Sequence, residues 1–110
     1  MTNLGNKSCR ERKGEPALDR AQAQDMLREI PGWTLSDSAS EIHRTFKFAN
    51  YYETLAFVNA QAWVAHREDH HPDLEVGYNR CRIRFSTHSV NGLSENDFIC
   101  AAKINALRGE

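Results

Sequence analysis

Apolar and polar positions recur along this chain with two different periods, and the switches between them mark its elements. Residues 1–17 are polar and charged, show no periodicity, and read as a flexible N-terminal tail. Asp19 is a candidate N-cap for a first helix, where Ala23, Met26, Leu27 and Ile30 form an apolar stripe that Pro31-Gly32 ends. Trp33 to Leu35 predicts a short strand, followed by the polar turn SDSAS. In EIHRTFKF, Ile42, Phe46 and Phe48 share one parity and His43, Thr45 and Lys47 the other. That pattern predicts a half-buried strand, with Arg44 as its one misfit. Asn50 then caps the longest helix, from Tyr51 to about Asp69. Its 4-3-4-3 stripe of Tyr51, Leu55, Val58, Ala62 and Ala65 predicts the buried face. Phe57, Trp63 and Val64 lie off that stripe, which points to a second apolar surface covered by another subunit. Pro72 blocks continuation of the helix. Leu74, Val76 and Tyr78 alternate, as do Cys81, Ile83 and Phe85, so two strands follow with a reversal at Asn79-Arg80. A last helix starts at Ser94 and runs to about Leu107, with Asp97 at the capping-box position and Leu93 and Phe98 as a hydrophobic staple.

The order helix, two strands, long helix, two strands, helix predicts an α+β domain: a four-stranded antiparallel sheet with its helices packed on one face. No repeat or linker divides residues 18–110, which read as a single domain. Composition agrees, because 40% hydrophobic and 26% charged residues make a globular profile. A net charge of −1 gives no basic excess for direct nucleic-acid binding. No apolar run reaches the length of a membrane span, and the polar start lacks the apolar centre of a signal peptide. The expectation is a cytoplasmic protein without membrane contact. Cys9, Cys81 and Cys100 form no C-x-x-C pattern and read as reduced thiols, with Cys81 and Cys100 among apolar neighbours as core fillers.

The chemistry concentrates in HREDHHPD, residues 66–73, which holds three of the five histidines. Histidine is the side chain whose ordinary pKa lies nearest neutrality. His66 and His70 are four apart, the spacing of two metal ligands on one helix face, but Arg67 stands where the zinc-protease motif needs Glu. Imidazolium groups at a helix C-terminus also gain about 0.3–1 kcal/mol from the dipole, which accounts for one histidine and not for three. Spacing alone leaves a polar helix end and an acid/base site level. Arg80, Arg82 and Arg84 share one strand parity and read as a solvated sheet face able to attract an anionic partner.

The constellation from His66 to Asp97 resembles the signature of the pterin-4a-carbinolamine dehydratase family. His66, His70-His71-Pro72, Tyr78, His88 and Asp97 occupy the typed positions without a gap. The words PGW at 31–33, STH at 86–88 and GLSENDF at 92–98 match as well, so the similarity spans roughly residues 18–107. His66 replaces the Glu often found at the first position, and Leu74 stands where many members carry Trp.

The resemblance implies a dehydratase that removes water from a 4a-hydroxytetrahydropterin, recycling the pterin of aromatic amino-acid hydroxylases. It assigns catalysis to His70, His71 and His88 with Asp97 as orienter, and no metal or organic cofactor. Substrate binding falls to His66, Asp69, His70, His71, Pro72, Tyr78, Thr87, His88, Ser89 and Val90. It further implies a homo-oligomer, dimer or tetramer, built through the long helix, and an aromatic amino-acid hydroxylase as functional partner. Some family members also act as dimerisation scaffolds for a transcription factor, so a non-catalytic scaffold binding a partner protein through the long helix is the competing class. Nothing in the chain separates donor from acceptor among the histidines.

Overall fold

Three side-chain caps set the starts of three helices. The computed structural model describes residues 3–110 and places α1 at Arg20–Leu27, α2 at Tyr51–Glu68 and α3 at Glu95–Leu107. Asp19 accepts from the Gln22 amide, Asn50 from that of Glu53 and Ser94 from that of Asn96, each satisfying a donor the helix leaves unpaired. Between the helices lie β1 (Thr34–Leu35), β2 (Ile42–Lys47), β3 (Asp73–Val76) and β4 (Arg80–Phe85). The strands form one antiparallel sheet in the order β1-β2-β4-β3. The predicted element order and α+β class are borne out.

Register explains the sheet's two faces. Ile42 pairs with Phe85, Phe46 with Cys81, and Arg44 and Leu74 both lie opposite Ile83, so one face carries the apolar side chains. Ile42, Phe46, Cys81, Ile83 and Phe85 are all buried there. His43, Thr45, Lys47 and the three strand arginines take the other face, where Arg82 lies opposite Glu75 and Arg84 opposite Asp73. Arg44, the misfit, reaches the rim of the apolar face. Its guanidinium lies 4.3 Å from the Phe46 ring centre and donates to Asn105 Oδ1 and to both Glu110 carboxylate oxygens. Gly32 makes room for it: at φ +91°, a Cβ there would stand 2.7 Å from the guanidinium.

Two expectations need correction. The buried face of α2 is Thr54, Phe57, Gln61 and Ala65, whereas Tyr51 and Ala62 are exposed. Phe57 belongs to the core, with ring centres 4.7 Å from Phe46 and 5.0 Å from Phe48. A polar Thr54 fits inside because its hydroxyl reaches the carbonyl oxygens of Asn50 and Tyr78. The outward apolar surface of α2 is instead Tyr51, Tyr52 and Trp63, the last two 82% and 63% exposed. The second correction concerns the N-terminal stretch read as a free tail. Within the described residues it packs along α3: Leu4 enters the core, and Arg12 is buried.

The core closes around α3, where Phe98, Ile99, Cys100, Ala101 and Ile104 are fully enclosed. No described helix is long and apolar enough to cross a membrane.

Candidate active site

Three chain segments meet at one end of the sheet, and each ends in a way its residues dictate. Helix α2 stops at Asp69, which adopts the left-handed conformation at φ 51°. Asp tolerates that region better than most residues. The turn takes His70 off the helix axis, so the four-residue spacing with His66 does not place the two side by side on a helix face. The His70 amide still bonds back to the Ala65 carbonyl, which fixes the direction of the departing chain. Strand β4 leaves the sheet at Phe85 and enters a closed loop in which Thr87 and Gly92 pair, carrying His88 in a short 3-10 turn. Helix α3 begins with the box of Ser94 and Asp97.

Asp97 joins these segments. It is fully buried, and its two oxygens do different work. Oδ2 accepts from the Ser94 amide at 3.0 Å and from the Thr87 hydroxyl at 2.7 Å. Oδ1 faces His70 Nε2 at 2.6 Å. The Thr87 hydroxyl spends its one proton on Asp97, so in its 2.7 Å bond with Ser94 it accepts, and Ser94 donates. Asp97 therefore caps a helix and orients an imidazole. His70 is held further by parallel stacking on Phe85, with ring centres 5.7 Å apart and planes 7° from parallel. Nε2 is engaged by Asp97, which leaves Nδ1 as the ring nitrogen free of that contact.

A cavity of about 560 Å³ opens beside this pair. It is lined by Glu68 to His71, Ser86 to Ser89, Asn96 and the N-terminal residues Cys9 to Arg12. The predicted residues Asp69, His70, His71, Thr87, His88 and Ser89 thus share one cleft, with Asp97 behind it. His71 and His88 are exposed into it. His66, Pro72, Tyr78 and Val90 are not among the lining residues. Tyr78 lies beyond the other end of β3, its ring 6.2 Å from that of Tyr51 and nearly parallel to it. A larger cavity of about 1170 Å³ lies between the Leu4 turn, the end of α1 and α3, but no histidine or thiol lines it. Among the described residues, no three His, Cys, Asp or Glu side chains are grouped to hold a metal.

Periodicity gave no sign of Cys9 to Arg12, of Glu68 or of Asn96 in this cleft. Their contacts are long-range and join side chains to backbone: the Cys9 amide donates to Glu68 Oε1 at 2.8 Å, and Asn96 Nδ2 donates to the Arg10 carbonyl at 2.7 Å.

A four-stranded sheet with three helices, and a cleft holding a carboxylate-oriented histidine beside two more, define a small α+β protein suited to proton transfer. The chain belongs to the pterin 4 alpha carbinolamine dehydratase family, whose model matches residues 16–107. A Stenotrophomonas maltophilia protein, provisionally named a pterin-4-alpha-carbinolamine dehydratase, is 58% identical over 105 residues, covering 94% of this chain and 90% of its own. A Nitrosomonas eutropha protein with the same provisional name is 53% identical and covers 97% of both chains. Among solved structures, the transcriptional coactivator/pterin dehydratase from Brucella melitensis superposes with a TM-score of 0.79 at 35% identity, covering 83% of this chain and 97% of its own.

Proposed function

We propose that this protein dehydrates a 4a-hydroxytetrahydropterin to the quinonoid dihydropterin, by histidine acid/base catalysis and without metal or organic cofactor. The observation that carries the reading is the 2.6 Å contact between His70 Nε2 and a fully buried Asp97 at the wall of the cleft. The reaction breaks the bond from C4a to the hydroxyl oxygen and removes the N5 proton, leaving a C4a–N5 double bond and water. Both protons need carriers. His70 with Nδ1 free of the Asp97 contact suits the acceptor role at N5. His71 and His88, which line the same cleft, suit the donor role toward the departing hydroxyl. Asp97 stabilises the imidazolium that forms on His70, as buried carboxylates do beside catalytic histidines. Asp69 and Ser89 supply the polar edge that would hold the ring, with Thr87 behind them fixing Asp97.

The natural setting in this reading is the cytoplasm, beside an aromatic amino-acid hydroxylase that produces the hydroxylated pterin. The working form is a homo-oligomer assembled on the exposed aromatic face of α2. His66, Pro72, Tyr78 and Val90, which do not line the cleft of one protomer, act at the site only if assembly or ligand binding brings them there. A scaffold role is favoured by one observation: Tyr51, Tyr52 and Trp63 leave an apolar surface that another protein can cover as well as a second copy. The similar Brucella protein is titled both coactivator and dehydratase.

Stopped-flow mixing of enzymatically generated 4a-hydroxytetrahydropterin with chelator-treated protein tests the catalytic reading. Faster appearance of quinonoid dihydropterin than in buffer supports it, and an unchanged rate at stoichiometric protein overturns it.

A further inference from the structure

We propose that residues Cys9–Arg12 form a wall of the substrate site that touches the bound ring, and that Asn96 is the positioning residue that holds them there. The inference rests on the dehydratase reading of the cleft. The family match begins at residue 16, yet this segment supplies four of the thirteen residues lining the cavity. Without it the cleft would lose that side and lie open to water.

The attachment is specific. Asn96 is only 5% exposed and satisfies both backbone groups of Arg10: Oδ1 accepts from its amide at 3.2 Å, and Nδ2 donates to its carbonyl at 2.7 Å. This is the pairing a neighbouring strand would give. The same Oδ1 accepts from Arg12 Nε at 3.1 Å, and the Asn96 carbonyl accepts from the Cys9 thiol at 3.5 Å. Glu68 takes the Cys9 amide at 2.8 Å, and Lys7 pairs with Glu95 at 2.6 Å. Asn96 directly precedes Asp97, so the first turn of α3 sets both the wall and the His70 dyad.

The charges of this wall cancel locally. Arg10 lies 2.5 Å from Glu15, and Arg12 lies 3.6 Å from Glu15 and 3.4 Å from Glu95. Paired arginines offer little field to an anion, so the wall suits an uncharged heteroaromatic ring rather than a phosphate. The Cys9 thiol turns to α3, where it donates to the Asn96 carbonyl and lies 3.6 Å from Cys100 Sγ, and as a half-buried residue of the wall it reports on what covers the cleft.

The experiment compares wild type with Asn96→Ala and Asn96→Asp in the dehydration assay, and follows Cys9 alkylation by iodoacetamide with 7,8-dihydrobiopterin as the stable probe. Asn96→Ala should raise KM about tenfold, the equivalent of ~1.4 kcal/mol, with kcat within about twofold. Asn96→Asp keeps the acceptor for Arg10 and Arg12 but sets a carboxylate oxygen against the Arg10 carbonyl, so it should raise KM as Asn96→Ala does. In wild type the pterin should slow Cys9 alkylation, and Asn96→Ala should abolish this protection. Cys81 and Cys100 are fully buried and report intact folding by staying unmodified. Unprotected Cys9 together with wild-type KM in Asn96→Ala overturns the wall while leaving the dehydratase standing. A fall in kcat at unchanged KM also overturns it, because the substitution then acts only through Asp97. Wild-type protein that neither speeds dehydration nor shows pterin protection overturns both readings.

Discussion

Replacing Asp97 by Asn keeps shape and removes charge, and hydrogen-bond geometry dictates the consequence. Oδ2 accepts from the Ser94 amide and the Thr87 hydroxyl. The Asn oxygen must take that position, since the NH₂ group would meet two donors there. The NH₂ group then faces His70 Nε2 and donates to it, which moves the ring proton to Nδ1. His70 would present a donor where the proposed mechanism needs an acceptor. In serine proteases the same tautomer inversion costs about 10⁴-fold in kcat. General acid/base groups contribute roughly 10²–10⁴-fold, and a substrate that dehydrates unaided shortens that range from below, so a loss of about 10²-fold in the protein-dependent rate is expected. The stability effect is smaller in kind. Three hydrogen bonds lose their charge assistance but stay made as neutral ones, a loss of about 1 kcal/mol each against a typical 5–15 kcal/mol for a domain, so the variant should be less stable yet still fold. Asp97→Ala would instead strand three buried donors and is the poorer test. Stopped-flow dehydration by Asp97→Asn, with ¹⁵N chemical shifts reporting the His70 tautomer, measures both halves. A folded variant with inverted tautomer and undiminished rate would refute the reasoning.

Other perturbations separate core, surface and charge. Phe57→Ala should destabilise the subunit by about 3–5 kcal/mol in denaturant titration, because Phe57 packs between Phe46 and Phe48; a loss under 1 kcal/mol would place it outside the core. Trp63→Glu should lower the oligomeric mass in light scattering with little change in subunit stability, whereas a wild-type mass near 12.6 kDa at every concentration would remove the assembly altogether. The Lys7 ammonium, hydrogen-bonded to Glu95, holds that carboxyl below its usual range, with Arg12 adding to the effect. A carboxyl depressed on folding lends stability that is complete above its unfolded pKa, about 4.3, and fades as pH falls through the lower folded value. Thermal melts from pH 6 to pH 3 should therefore show an acid loss that Lys7→Gln makes shallower; identical pH profiles would deny the link. Elemental analysis of tag-free protein should find well under one equivalent of zinc or iron, and one tight equivalent whose removal stops the reaction would reinstate a metal mechanism.

Alternation and caps made the fold legible. Ile42 and Phe46 share a parity on one strand, as Cys81, Ile83 and Phe85 do on the other, and the register sets both groups on one face. The caps Asp19, Asn50 and Ser94 act where the sequence placed them. The buried face of α2 was misread because two of its four inward residues, Thr54 and Gln61, are polar, so a stripe counted on apolar residues settled a position away. The packed N-terminal segment was missed for a related reason: Asn96 and Glu68 fix it through hydrogen bonds to its backbone, which leave no mark on its side-chain pattern. At the site, the histidines were legible as a group and their geometry was not. The left-handed turn at Asp69 and the closed loop from Thr87 to Gly92 bring His70, His71 and His88 to one cleft, and neither bend follows from periodicity.

The most direct measurement is the protein-dependent rate of 4a-hydroxytetrahydropterin dehydration in wild type and in His70→Ala, each shown by circular dichroism to be folded. The account predicts clear acceleration by wild type and a loss of about 10²-fold or more when His70 is removed. Equal rates for the two proteins would contradict it, because the imidazole that Asp97 orients would then have no part in moving the proton.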